Sequence, residues 1–132
     1  MSVPFDPSIL TRRTDADMST KEWHLVKPVG DNDMDLTGLN DLPIGAMTND
    51  VADGSTDAVF LPVQIGGIIK VKCGGIIDAG NLAGSDANGQ AVQVSGAHGG
   101  ATNSHAFGIA LETYAAGDIG AFLWAPSYLS TT

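Results

Sequence analysis

Three aspartates at alternate positions, Asp31, Asp33 and Asp35, come nearest in type and spacing to a chemical site. D-x-D-x-D opens the oxygen-ligand pattern of a calcium loop. Such a loop then needs a glycine at its sixth position and a bidentate carboxylate at its twelfth. Those positions hold Leu36 and Leu42, so a solvated acidic loop is expected instead. The histidines are His24, His98 and His105, and the last two share a Gly-rich segment. Zinc would need further ligands, and the one cysteine, Cys73, falls in an expected strand. Cys73 also lacks a following helix start that would lower its pKa, so a buried or strand-end thiol is expected rather than a nucleophile. Ser104-His105 has aspartates elsewhere in the chain for company, but no G-x-S-x-G elbow is present. The Gly-rich segments match neither G-x-x-x-x-G-K-[S/T] nor G-x-G-x-x-G between a strand and a helix. We therefore expect no enzyme, no cofactor and no metal site.

What remains is a question about surfaces. The chain has 132 residues, 15 Asp and Glu against 6 Lys and Arg, and a net charge of -9. That balance repels phosphate backbones and anionic membranes, so neither nucleic acid nor a membrane is an expected partner. The charge is uneven. Every basic residue lies before Cys73, and residues 73–132 hold only four acids, Asp78, Asp86, Glu112 and Asp118. A sixty-residue half so poor in charge is expected to face another protein chain. With a single cysteine no intrachain disulfide can form. The N-terminus shows no apolar run of signal-peptide length, so synthesis in a reducing compartment without export by that route is expected.

The elements that would carry such surfaces are strands. Seventeen glycines, about twice the average share, favour turns over helices. Residues 1–42 read as an N-terminal arm and acidic loop, partly extended, with one short strand over 22–29. Residues 43–126 read as a compact all-β domain, a small barrel or sandwich of β-tulip type, and 127–132 as a tail. Within the domain, 67–73 is the clearest strand: Lys70 and Lys72 alternate with Ile69, Val71 and Cys73. Pro62 belongs at an edge or bulge, and Pro126 is expected to end the last strand. A-G-N-L-A-G (79–84) and A-G-D-I-G-A (116–121) read as the same turn used twice, with glycine at positive φ and Asn or Asp bonded back to the backbone. The large aromatics Trp23, Trp124 and Tyr128 read either as core plugs or as interface anchors.

Several of these pieces occur in a particular order. G-G-I-I-K-V-K-C-G-G-I-I-D-A-G-N-L-A-G-S-D-A-N-G-Q-A-V is followed by F-G-I-A-L-E-T-Y-A-A-G-D-I-G-A-F-L. This resembles the small head decoration or capsid cement proteins of tailed bacteriophages. The match covers about residues 43–123, and P-I-G-A-M-T-N-D-V-A-D-G fits the family's start. The sequence departs from the family's pattern with Asn81 in place of Asp, Gln90 in place of Lys, and a long region 1–42 that does not align. The resemblance implies a non-enzymatic virion protein, made in the host cytoplasm. It would bind the major capsid protein on the capsid exterior, commonly as a homotrimer, and stabilise the expanded shell. In that setting Val3, Phe5, Ile9, Leu10 and Trp23 are the expected capsid contacts of the arm. Phe107, Phe122, Trp124 and Tyr128 are the expected subunit interface. The alternative is a surface-displayed receptor- or glycan-binding β module working through the loops at 31–41 or 95–105. A small hydrolase is the third reading.

Overall fold

The structure, a computed structural model, describes residues 9–30, 33–39, 41–55, 58–94 and 104–129. Among them all regular structure is β, as expected. Ten strands run β1 Ile9–Thr14, β2 Leu25–Val29, β3 Asp33–Leu36, β4 Gly45–Met47, β5 Val59–Gln64, β6 Ile68–Lys72, β7 Leu82–Ser85, β8 Ala91–Gln93, β9 Ser104–Ala110 and β10 Ile119–Leu129. The first five close into a barrel in the order β1-β3-β2-β4-β5. The last five form a second sheet in the order β6-β10-β9-β7-β8. This second sheet curls until its edge strands touch, where Cys73 bridges Ala91 and Gly74 N–H donates to the Ala91 carbonyl.

The expected boundary at residue 43 is therefore corrected, because the barrel is built from both sides of it. β1 lies in the segment read as an arm. It pairs with β5 over its whole length, from Ile9 opposite Gln64 to Thr14 opposite Val59. Its end is pinned by Thr14, whose buried hydroxyl donates to the Met34 carbonyl (2.7 Å) and accepts from Ala16 N–H. β3 lies in the segment read as an acidic loop and pairs with β2. Both strands hide from sequence reading for one reason. β1 exposes Thr11, Arg12 and Arg13 in a row and buries the polar Thr14, and β3 carries Asp33 and Asp35 on its outward side, so apolar alternation is weak.

The prolines follow the pairing. Pro28 sits inside β2, where the pairing with β4 (Leu25 and Val26 only) has already ended. Pro62 sits inside β5, beyond the two residues that pair with β4. Pro28 thus occupies a locally one-sided stretch of strand, where a missing N–H costs least, while Pro62 still accepts from Thr48 N–H through its carbonyl on the β4 side. Pro126 does not end β10. A register shift between Trp124 and Ser127 absorbs it, and the strand continues to Leu129.

The twice-used turn is present. Asn81 N–H donates to the Asp78 carbonyl and Asp118 N–H to the Ala115 carbonyl, with Gly80 (φ 83°) and Gly117 (φ 91°) at the third position of each. That is the geometry in which only a residue tolerant of positive φ fits.

Two cores lie side by side. One gathers Leu25, Ala46, Ile69, Val71, Cys73, Ile77, Phe107, Tyr114 and Phe122. The other, inside the barrel, gathers Met18, Val26, Met34, Met47, Leu61 and Val63. The units are joined by main-chain bonds, Leu25 N–H to the Gly89 carbonyl (2.7 Å) and Lys72 N–H to the Trp23 carbonyl (2.8 Å). Trp23 holds a left-handed backbone (φ 66°) to make its bond, and the Lys70 ammonium lies 5.9 Å from its ring centroid. His24, buried beside it, completes the joint. Its Nδ1 is 3.1 Å from the Glu22 carbonyl and must donate. Its Nε2 therefore accepts from the Gln90 amide at 3.2 Å.

Two outcomes follow from this joint. Gly89 combines φ 72° with a Cβ position 2.8 Å from the Leu25 carbonyl oxygen. Gly89→Ala should therefore lower unfolding free energy by at least about 2 kcal/mol in a denaturant titration. The His24 pKa lies below the ordinary 6.5, first because burial disfavours the imidazolium and further because Lys21 and Lys72 are near. The unfolded imidazole takes up its proton near 6.5 while the folded one resists until lower pH. The stability that neutral His24 contributes is therefore complete above that value and is lost as pH falls below it. The Tm should be level above about pH 7 and drop as pH falls below about 6.5, and His24→Gln should flatten that drop.

Candidate interaction surface

The second sheet presents its inner face to the core and its other face to solvent. Ile69, Val71, Phe122 and Ala83 point inward and are fully buried. The outward positions alternate with these. On β6 they are Ile68, Lys70 and Lys72, and on β10 Ile119, Ala121 and Leu123, each opposite its β6 partner. Leu123 is in register with Ile109 of β9, and Ile109 with Leu82 of β7. Val94 N–H bonds to the Leu82 carbonyl just beyond β8. Ile68, Leu123, Ile109, Leu82 and Val94 thus form one aliphatic row that follows the curl of the sheet, with Ile68 and Leu123 exposed and Ile109, Leu82 and Val94 half-buried. Leu111, whose N–H donates to the Ala121 carbonyl, and Ile119 widen it.

A face of this kind is normally polar on alternate residues. Here Ile68 is 59% exposed, and Ile119, Leu111 and Leu123 are 44–45% exposed. Among these outward positions the only charges are Lys70 and Lys72, both on β6 at one margin. Covering such side chains gains about 1.5–3 kcal/mol each when exposure is complete, and proportionately less from partial exposure. Gly84 belongs to the same design. A Cβ there would meet Val94 Cγ2 at 2.6 Å and the His105 carbonyl oxygen at 2.7 Å, so the glycine lets both the valine and β9 approach.

The expected subunit-interface residues divide. Phe107 and Phe122 are corrected to core residues. Both are fully buried, their rings 5.2 Å apart edge to face, and they have no surface to offer. Trp124 is partly buried against the same core, 6.1 Å from Phe107. Tyr128 is exposed, at 57%, and its ring leans on His105 with centroids 4.9 Å apart. Beside it lies an open cleft of about 260 Å³ lined by Leu42, His105, Pro126, Ser127 and Tyr128.

Of the expected arm contacts, Val3 and Phe5 lie outside the described residues. Ile9 and Leu10 are corrected from arm to barrel wall, since both pair with β5. Trp23 serves the joint between the two units rather than a free arm. Sequence reasoning missed Phe60, outward on β5 and 67% exposed, and the aliphatic row itself. The signal for the row was available: I-G-A-F-L in β10 is apolar on both faces, which is the pattern of a strand covered on both sides.

The residues weighed for chemistry are dispersed. Asp33 pairs with Arg13 at 2.9 Å, and Asp35 caps Leu36 N–H. Asp31 and His98 lie outside the described residues, among which no three of His, Cys, Asp and Glu gather as metal ligands. Cys73 is buried at the bridge that closes the second sheet. Burial pushes its thiol up to about 11.

No protein-family model matches the chain, and no curated protein matches it by sequence. Among solved structures, the N base of the head fiber gp8.5 of bacteriophage phi29 is similar, with a TM-score of 0.69. Its fold is shared. The likeness covers 89% of this chain and 94% of that one at 19% identity, so it reaches across both the barrel and the second sheet. At that identity it speaks for architecture, and residues are not carried over.

The folded protein should leave Cys73 unreacted with a maleimide at pH 8, and one thiol should become reactive only in denaturant. Rapid modification of the native chain would mean that the Cys73–Ala91 closure opens freely.

Proposed function

We propose that this chain is a structural protein of a tailed-phage head. It binds the outside of the capsid on the major capsid protein, as a homotrimer, and stabilises the expanded shell without catalysing a reaction. The observation that carries this reading is the shared fold with a phage head-fiber base over nearly the whole chain. Two features support it. The order of motifs in residues 43–123 resembles that of head decoration proteins, and the second sheet exposes an apolar face that suits a protein contact. In this reading the protein acts in the virion, on the capsid exterior, after synthesis in the host cytoplasm.

The mechanism is linkage. A protein that binds the expanded lattice and not its precursor stabilises the expanded state by its binding free energy, through mass action. Repetition over a lattice multiplies modest contacts. We read the apolar Val3 and Phe5, ahead of β1 in the sequence, as capsid contacts, and Tyr128 with its cleft as a second such point. That cleft also favours one other reading, a surface-displayed module that takes a host glycan on the exposed tyrosine ring.

Co-sedimentation decides between them. The purified chain should pellet with expanded empty heads and not with unexpanded ones, and heads carrying it should survive heating and osmotic shock that disrupt bare heads. Binding to cells or glycan arrays with no affinity for heads would overturn the capsid reading.

A further inference from the structure

We propose that the outer face of the second sheet is where copies of this chain meet, with the rows Ile68–Leu123–Ile109–Leu82 of neighbouring copies converging on one another. The proposal rests on the reading of the chain as a head protein present in several copies, and it names the face they use.

Electrostatics selects the face, and the charges at its rim suit a second copy. Each copy carries a net charge of -9, so two copies repel through most of their surfaces. The outward positions of β6, β10, β9 and β7 carry no acid. Meeting through them buries no carboxylate. Lys70 and Lys72 stand at one margin of the face, where they remain hydrated at a rim. The turns that close this sheet carry Asp78, Glu112 and Asp118, so a neighbouring copy brings carboxylates of opposite charge to such a rim.

Geometry selects the mode. β10, β9 and β7 each have strand partners on both sides. The free side of β6 is engaged by the Trp23 carbonyl at Lys72 N–H and by the Gln64 amide at the Ile68 carbonyl. β8 is joined to the end of β6 through Cys73 and Ala91. Strand addition at an edge is thereby disfavoured, and face-to-face packing of aliphatic side chains is the contact this sheet offers.

Light scattering on the purified chain, without heads, tests this. The wild-type chain should form a defined oligomer. Leu123→Glu, at a solvent-facing position, should weaken self-association at least tenfold, since it sets a carboxylate into the converging row. Its thermal unfolding by circular dichroism should match that of wild-type chain run at monomeric dilution. Phe60→Ser, a larger exposed apolar loss on the barrel, should leave the oligomer intact. Leu123→Lys should also be monomeric, and mixing it with Leu123→Glu should restore assembly. A wild-type chain that stays monomeric, a Leu123→Glu chain that assembles like wild type, or a mixture that fails to reassemble overturns the proposal. A monomer that still pellets with heads overturns it while leaving the capsid reading standing. An oligomer lost on Leu123→Glu and regained on mixing supports it even if that oligomer ignores heads, in which case the capsid reading fails alone.

Discussion

The structure depends on two adjacent residue pairs in one short stretch of sheet. In β2, Leu25 and Val26 point to opposite sides, as consecutive strand residues must. Leu25 enters the core of the second sheet and Val26 the core of the barrel. β4 repeats the arrangement, with Ala46 in one core and Met47 in the other, and Leu25 stands opposite Ala46 in register. The β2–β4 pair is thus a wall with a hydrophobic room on each side. All four side chains are essentially fully buried, so neither unit can shed the other without exposing half of that wall.

The polar groups at the joint follow from the same constraint. Where a strand pair is buried on both faces and packed at its ends, its polar groups cannot turn to water and need internal partners. Trp23 accepts positive φ to present its carbonyl to Lys72, Leu25 donates to Gly89, and His24 spans from Glu22 to Gln90 as a neutral ring. These bonds pin the barrel to the second sheet from one side only. Among the described residues no layer packs on the opposite face of the second sheet, where Ile68, Leu111, Ile119 and Leu123 are exposed and Leu82, Ile109 and Val94 are half-buried.

The sequence was legible where alternation was clean. β6 was read with its faces assigned, because two lysines mark the wet side. The paired turns at Gly80 and Gly117 were read because positive φ leaves glycine as the natural occupant. The charge-poor half was read as contact surface, and of its aliphatics Leu111, Ile119 and Leu123 are exposed. The side chains named for it did not all follow. Phe107 and Phe122 drew attention by size, yet size favours burial in the monomer's own core before any neighbour arrives. The open row is made of medium-sized aliphatics instead.

Composition and local pattern alone determined the all-β class, the acidic character, the turn positions and the one-sided strand β6. Each of these is a property of a few consecutive residues. Only the tertiary structure decided that residues 9–36 are barrel rather than arm, because Ile9–Thr14 gains its status from pairing with Val59–Gln64, fifty residues on. It alone decided which apolar face of the second sheet the barrel covers. Ile68 and Ile69, or Leu123 and Phe122, are equally hydrophobic neighbours in the chain. Which of each pair goes to the core is set by the side on which the β2–β4 wall packs.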